Sequence, residues 1–201
     1  MTGFSGPTGR LIGIPASIAV LLYPAHAAAH LVTTGLGPVY DGIAHLFLSP
    51  EDLIPALAVA LYAGLRGSAA GRRAMFVLPM AWLVGGLMGY AVNPPPPFPV
   101  PVLSFLVIGA LVAADMRVPE SAVMGLILAL GLIHGFLNGI ALHGGPGLVG
   151  LAGIAAALFV LVSLASALVV SLRRPWTRVV VRVAGSWVAA IGLLMLGWAM
   201  R

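Results

Sequence analysis

The feature that most constrains this chain is a hydrophobic run over residues 120–142. As a helix rising about 1.5 Å per residue it spans roughly 34 Å, against a bilayer hydrocarbon core of about 30 Å. The chain is 61% hydrophobic and 7% charged, whereas a soluble domain carries about 25% charged residues. Five further long apolar runs lie at about 52–68, 74–92, 100–116, 147–172 and 181–200. The sequence therefore predicts an all-α fold, a polytopic membrane bundle of six transmembrane helices.

The N-terminal residues have the pattern of a cleaved signal peptide. Arg10 forms a short basic region and residues 11–24 form an apolar core. Ala25-His26-Ala27 or Ala27-Ala28-Ala29 forms a small-residue cleavage site. An uncleaved anchor helix is the alternative. Cleavage after Ala29 would make His30 the N-terminus, where its imidazole and the free α-amine together form a chelating group for copper or nickel. The chain then divides into a signal peptide, a periplasmic or interfacial segment with a short amphipathic helix, and a six-helix transmembrane domain, over residues 1–29, 30–50 and 51–201.

The arginines predict how the chain is oriented in the membrane. They crowd the loops that follow the first, third and fifth spans, whereas the loops at 93–99 and 143–147 contain none. Because basic loops stay in the cytoplasm, we expect a protein of the bacterial inner membrane with a periplasmic N-terminus. On the inner side, Asp115 and Glu120 are expected to form surface ion pairs with Arg117.

The residue types that the chain lacks narrow its chemistry. Without lysine there is no Schiff base or P-loop, and without cysteine there are no iron–sulfur clusters, thiolate copper sites, disulfides or covalently attached haem. The net charge of +5 comes from arginines beside hydrophobic runs, which is a topology signal and not a nucleic-acid site. No nucleophile–base pair stands out. We therefore expect no enzyme, no nucleic-acid partner and no tightly bound cofactor.

Polar side chains collect at the predicted outer face. Asp41 and His45 lie four residues apart, so on a helix they share a face. A carboxylate and an imidazole on adjacent turns form half of a site for a divalent transition metal. A simple hydrogen bond between them is the alternative. Glu51 and Asp52 follow at the start of the first span, where they favour the positive end of the helix and also attract cations.

His134 and Asn138 lie one turn apart inside the fourth span. An imidazole and an amide are costly there unless they line a cavity or hold a ligand, so we expect a functional role. An interhelical hydrogen bond from His134 is the alternative. This span and the second one carry glycines four residues apart, which let another helix approach closely. They are Gly131, Gly135 and Gly139 in this span, and Gly85 and Gly89 in the second. These glycines also allow a homo-oligomer.

Two segments resemble the HupE/UreJ family. The stretch from His30 to Asp52 resembles the start of a mature family member, and the later His134-Gly-Phe-Leu-Asn138-Gly resembles the family's second histidine-containing helix. The resemblance implies a secondary metal permease, with His30, Asp41, His45 and His134 as metal-handling residues. Better-characterised members carry an adjacent Asp-His pair, and a further His and a Glu in the second motif, so this chain resembles a divergent branch.

We therefore expect a permease that takes up nickel, or else cobalt or copper, from the periplasm to the cytoplasm within the lipid bilayer. An accessory membrane protein that binds or delivers metal for metalloenzyme assembly is one alternative. A haem-binding redox subunit is another, disfavoured because only His134 is clearly intramembrane. The candidate metal residues are His30, Asp41, His45, Glu51, Asp52, His134 and Asn138.

Overall fold

The described part of the protein is built from helices. A computed structural model describes residues 33–92, 100–172 and 174–200, and these contain no β-strand, which confirms the all-α prediction. The predicted signal peptide, His30 and the proline-rich loop at 93–99 lie outside the described residues. The helices are α1 Pro38–Leu48, α2 Pro50–Arg66, α3 Ser68–Tyr90, α4 Val100–Ala114, α5 Glu120–Ala141, α6 Gly147–Ser171 and α7 Pro175–Ala199. A short 3₁₀ turn, Leu142–Gly144, follows α5.

Four of these helices are long and apolar enough to cross a membrane: α3, α5 with its 3₁₀ turn, α6 and α7. Helices α1 and α2 pass the same test together, although the chain bends by 79° between them. Helix α4 is apolar but has 15 residues, or about 22 Å. The described residues thus contain four or five candidate spans, and the six predicted spans stay a prediction.

Several arginines that we expected in loops lie in helices. Helix α3 begins at Ser68 and includes Arg72 and Arg73, so Gly67 alone separates it from α2. The φ angle of Gly67 is 109°, in the left-handed region that favours glycine. Hydropathy marks only the apolar part of a helix. A basic side chain can continue the helix because its charged end reaches water while its stem stays on apolar surface.

Helices α3 and α5 pack closely through their glycines. A methyl group on Gly135 would overlap the carbonyl oxygen of Trp82, and one on Gly89 would overlap that of Phe136. Both glycine stripes are therefore packing faces, and each lies against the backbone of the facing helix within the same chain. The close approach sets the ring of His134 against Trp82, with ring centroids 5.4 Å apart. A homo-oligomer stays a prediction.

Helix α2 brings the remaining elements together. It packs against α3, α4 and α6, and its buried face is built largely of small alanines such as Ala56, Ala60 and Ala63. Helix α4 packs against α2 and α7, and α6 also contacts α1 and α3. Because α2, α4 and α5 converge, polar side chains on these three helices can meet inside the bundle.

Candidate functional site

Four polar side chains from three helices meet inside the bundle. Asp52 comes from the first turn of α2, Ser104 from α4, and His134 and Asn138 from successive turns of α5. His134, Asn138 and Asp52 are only 1%, 3% and 5% exposed. Among the candidate residues in the described part, the structure therefore brings Asp52, His134 and Asn138 together.

The start of α2 explains why Asp52 lies in this position. Pro50 occupies the beginning of the helix and Ser49 is the N-cap residue. The Ser49 side chain makes no capping hydrogen bond, while its carbonyl oxygen accepts from the backbone N–H of Asp52 at 3.0 Å. The positive end of the helix dipole favours the Asp52 carboxylate.

His134 is held by hydrogen bonds at both ring nitrogens. Its Nδ1 lies 2.8 Å from Asp52 Oδ1, and its Nε2 lies 2.7 Å from Ser104 Oγ. An ionised carboxylate can only accept, so Nδ1 carries the proton that it donates to Asp52. In the neutral ring, Nε2 then has the lone pair and accepts from the Ser104 hydroxyl. These two hydrogen bonds fix the orientation of the ring and direct Nε2 towards Ser104.

Asn138 completes the cluster through its side-chain NH₂ group, while its side-chain oxygen has no partner among the described residues. Its Nδ2 donates to Asp52 Oδ2 at 2.8 Å and to the backbone oxygen of His134 at 3.0 Å. Asn138 Oδ1 and Trp82 Nε1 are buried and have no hydrogen-bond partner among the described residues. A buried polar atom without a partner costs about 1–3 kcal/mol, so these two atoms are the unsatisfied groups beside the cluster.

The cluster offers a mixed set of ligand atoms. It contains a carboxylate, an imidazole nitrogen, an amide oxygen and a hydroxyl. In the described ranges, no three histidine, aspartate or glutamate side chains lie close enough together to hold one metal ion. A metal bound at His134 Nε2 would therefore need neutral oxygens, such as those of Asn138 and Ser104, or water, because Asp52 is hydrogen-bonded to the other ring nitrogen.

The other predicted residues lie elsewhere or in different surroundings. Asp41 accepts two hydrogen bonds from Thr34, from its backbone N–H at 2.6 Å and its hydroxyl at 2.7 Å. His45 is buried on α1, and Glu51 is partly exposed beside Asp52. His143 lies on the 3₁₀ turn and packs its ring against that of Tyr90, with centroids 4.6 Å apart.

Sequence reasoning missed Ser104. The signal was present, because Ser104 is the one side chain in the fifteen residues of α4 that can form a hydrogen bond. A lone hydroxyl is easily overlooked, since it satisfies its own hydrogen bond within a helix in many proteins. Trp82 was also missed, because an aromatic residue in an apolar run has no distinguishing pattern.

The opposite end of the bundle contains the ion pairs. Arg66 and Arg178 both pair with Asp115, and Arg73 pairs with Glu120. The prediction that these carboxylates pair with Arg117 is therefore wrong. Packing between helices that are distant in the sequence brings the arginines of α2, α3 and α7 to these carboxylates. Arg117, their neighbour in the sequence, pairs with neither of them. The structure does place the arginine-rich segments together at one end.

Comparison with known proteins adds two findings. Residues 18–195 match the profile of the family described as HupE / UreJ protein. The chain is 28% identical over 189 residues to the protein named Protein HupE from Rhizobium leguminosarum bv. viciae, covering 91% of this chain and 96% of that protein. No solved structure gives a significant match.

Proposed function

Because the chain belongs to the HupE / UreJ family, we propose that it is a secondary permease for a divalent transition metal. The proposed direction is from the periplasm to the cytoplasm across the bacterial inner membrane, through six spans that follow a cleaved signal peptide. The proposed substrate is nickel, with cobalt and copper as alternatives. The observation that carries the proposal is the buried Asp52–His134 pair, whose geometry leaves one imidazole nitrogen to face a second helix.

The chemistry of this pair suits a transition metal. Nickel, cobalt and copper accept imidazole nitrogen as a ligand. A carboxylate that accepts from the other ring nitrogen fixes the tautomer and makes the ligand nitrogen more basic. In the proposal, His134 Nε2 is the first ligand, and the ion displaces the Ser104 hydroxyl from it. Asn138 Oδ1, which has no hydrogen-bond partner among the described residues, provides an oxygen ligand.

Charge supports the same assignment. Asp52 supplies one negative charge inside the bundle, which partly compensates a divalent cation. The sequence contains no ATP-binding motif. A membrane potential supplies about 2.3 kcal/mol per charge per 100 mV, or about 4.6 kcal/mol for a divalent ion, which is adequate for uptake without ATP. The groups proposed to attract the ion before it reaches His134 are His30, Asp41, His45 and Glu51.

Uptake of radioactive nickel into proteoliposomes tests the proposal. The full chain is reconstituted, an inside-negative potassium diffusion potential is imposed, and internal nickel is counted with and without the potential. Wild-type protein should accumulate nickel in proportion to the potential. His134→Gln should lower the uptake rate about tenfold or more, because it removes the ligand nitrogen. Glutamine keeps a hydrogen-bonding group, so the thermal unfolding midpoint should change little.

His143→Gln is the matched control. It makes the same substitution in the 3₁₀ turn, against Tyr90, and should leave uptake within about twofold of wild type. Equal uptake by wild type and His134→Gln would remove His134 from the mechanism. Nickel binding without potential-driven uptake would favour the accessory function, in which the protein holds or delivers metal. A Soret band in the purified protein would favour a haem-binding subunit.

A further inference from the structure

A cavity of about 360 Å³ lies at the end of α2 away from Asp52. Its walls come from the end of α2, the start of α3, the connection between α4 and α5, and the first turns of α5 and α7. Three of the lining residues are arginines, Arg66, Arg117 and Arg178, and one is acidic, Glu120. The volume lies within the range of small-ligand sites, which is about 300–1,000 Å³.

The side chains around this cavity carry an excess of positive charge. Glu120 lines the cavity and pairs with Arg73. A second carboxylate, that of Asp115, pairs with two of the lining arginines, Arg66 and Arg178. Arg117 forms no ion pair with the described residues, and its side chain is exposed. The two carboxylates compensate two of the four arginine charges, so two positive charges are left uncompensated. The four arginines are Arg66, Arg73, Arg117 and Arg178.

Arg66 is the most buried of the three arginines that line the cavity. Its side chain is 10% exposed, yet it lines the cavity. One terminal nitrogen donates to the Met116 carbonyl oxygen at 2.9 Å, and the other contacts Asp115. Its Nε is buried and has no hydrogen-bond partner in the described part of the chain. The Arg66 guanidinium is therefore held in place by its other contacts and contributes fixed positive charge beside the cavity.

We propose that this cavity binds a phosphate-bearing anion, from the head group of an acidic phospholipid or from free inorganic phosphate. Guanidinium groups match phosphate oxygens in a planar, two-pronged hydrogen-bonding geometry. Basic pockets between transmembrane helices also bind acidic head groups. The anion would contact Arg117, which forms no ion pair with the described residues, with the positive charges of Arg66 and Arg178 beside it. It would thereby tie the end of α2 to the α4–α5 connection and to Arg178 on α7.

Lipid retention and anion-dependent stability test this site on the full chain in detergent. Native mass spectrometry measures retention of dimyristoyl phosphatidylglycerol against dimyristoyl phosphatidylcholine. Thermal unfolding is measured with inorganic phosphate against chloride at equal ionic strength. One anion per chain should bind to wild type. Arg117→Gln should weaken that binding about fivefold, the contribution of one arginine near an acidic head group.

Arg72→Gln is the matched control, because it removes the same charge at the same end from a residue that does not line this cavity. It should change binding less than about twofold. Retention of phosphatidylglycerol without stabilisation by phosphate supports the site with a lipid as the source, and the reverse result supports it with free phosphate as the source. Equal weakening by Arg72→Gln and Arg117→Gln would mean diffuse attraction and would overturn the site. Binding of neither anion to folded protein would overturn it as well.

Discussion

Replacing Asp52 with asparagine removes the charge at the centre of the polar cluster and keeps the shape of the side chain. Asp52 accepts from His134 Nδ1 and from Asn138 Nδ2, both at 2.8 Å. An amide has one oxygen and one NH₂ group, so it can accept from only one of these two donors. The other donor is left buried and unpaired, which costs about 1–3 kcal/mol of the free energy of unfolding.

The same substitution weakens the proposed metal site without removing a ligand. Loss of a carboxylate behind a metal-bound histidine lowers metal affinity about 10–100-fold. We therefore expect Asp52→Asn to bind nickel 10–100-fold more weakly than wild type. For a chain of this size, the loss of stability corresponds to a thermal midpoint lower by roughly 2–12 °C. Isothermal titration calorimetry in detergent gives the affinity, and differential scanning fluorimetry gives the midpoint.

Glu51→Gln is the control for this experiment. It neutralises the neighbouring carboxylate, which is partly exposed and lies one residue before the cluster. It should lower nickel affinity no more than about threefold, because an exposed charge acts through screened, long-range attraction only. If Glu51→Gln and Asp52→Asn weaken nickel binding equally, Asp52 acts as general negative charge and the hydrogen-bonded geometry is irrelevant to binding.

Three further predictions concern the fold. Gly135→Ala should lower the free energy of unfolding by about 1–3 kcal/mol, because the added methyl group overlaps the Trp82 backbone. Gly125→Ala, where no atom lies within 4 Å of the added methyl group, should not destabilise the protein, and thermal unfolding compares the two variants. Asp115→Ala should lower the free energy of unfolding by about 1–3 kcal/mol, because it leaves the part-buried Arg66 unpaired. Glu120→Ala breaks an exposed ion pair and should lower it by at most about 1 kcal/mol in the same assay. In intact cells, an impermeant maleimide should label His143→Cys and not Arg174→Cys, since this chain has no natural cysteine; labelling of position 174 alone would reverse the orientation.

The sequence predicts the apolar helices well and their charged ends poorly. The predicted spans 120–142 and 147–172 agree within one residue with α5 and α6. Helix α7 begins at Pro175, six residues before its predicted span, and these six residues include Arg178. Hydropathy cannot detect such turns, since backbone hydrogen bonds continue where apolar burial has stopped.

The candidate site is harder to predict because its partners are distant in the sequence. His134 and Asn138 stand out as polar residues in an apolar run, and both lie in the cluster. The carboxylate that meets them is 82 residues from His134, and local spacing gives no reason to choose Asp52 over Asp41. Periodicity favours Asp41 with His45, but Asp41 is held by Thr34. It is the packing of α2 against its neighbours that places Asp52, and not Asp41, beside His134 and Asn138.

The central claim is that the metal binds at His134 Nε2. X-ray diffraction at the nickel absorption edge, from crystals grown with nickel, tests it most directly. We predict an anomalous peak within bonding distance of His134 Nε2 on the side of Ser104, and no such peak in His134→Gln crystals. A nickel peak at another residue, such as His143, with none beside His134 would contradict the account.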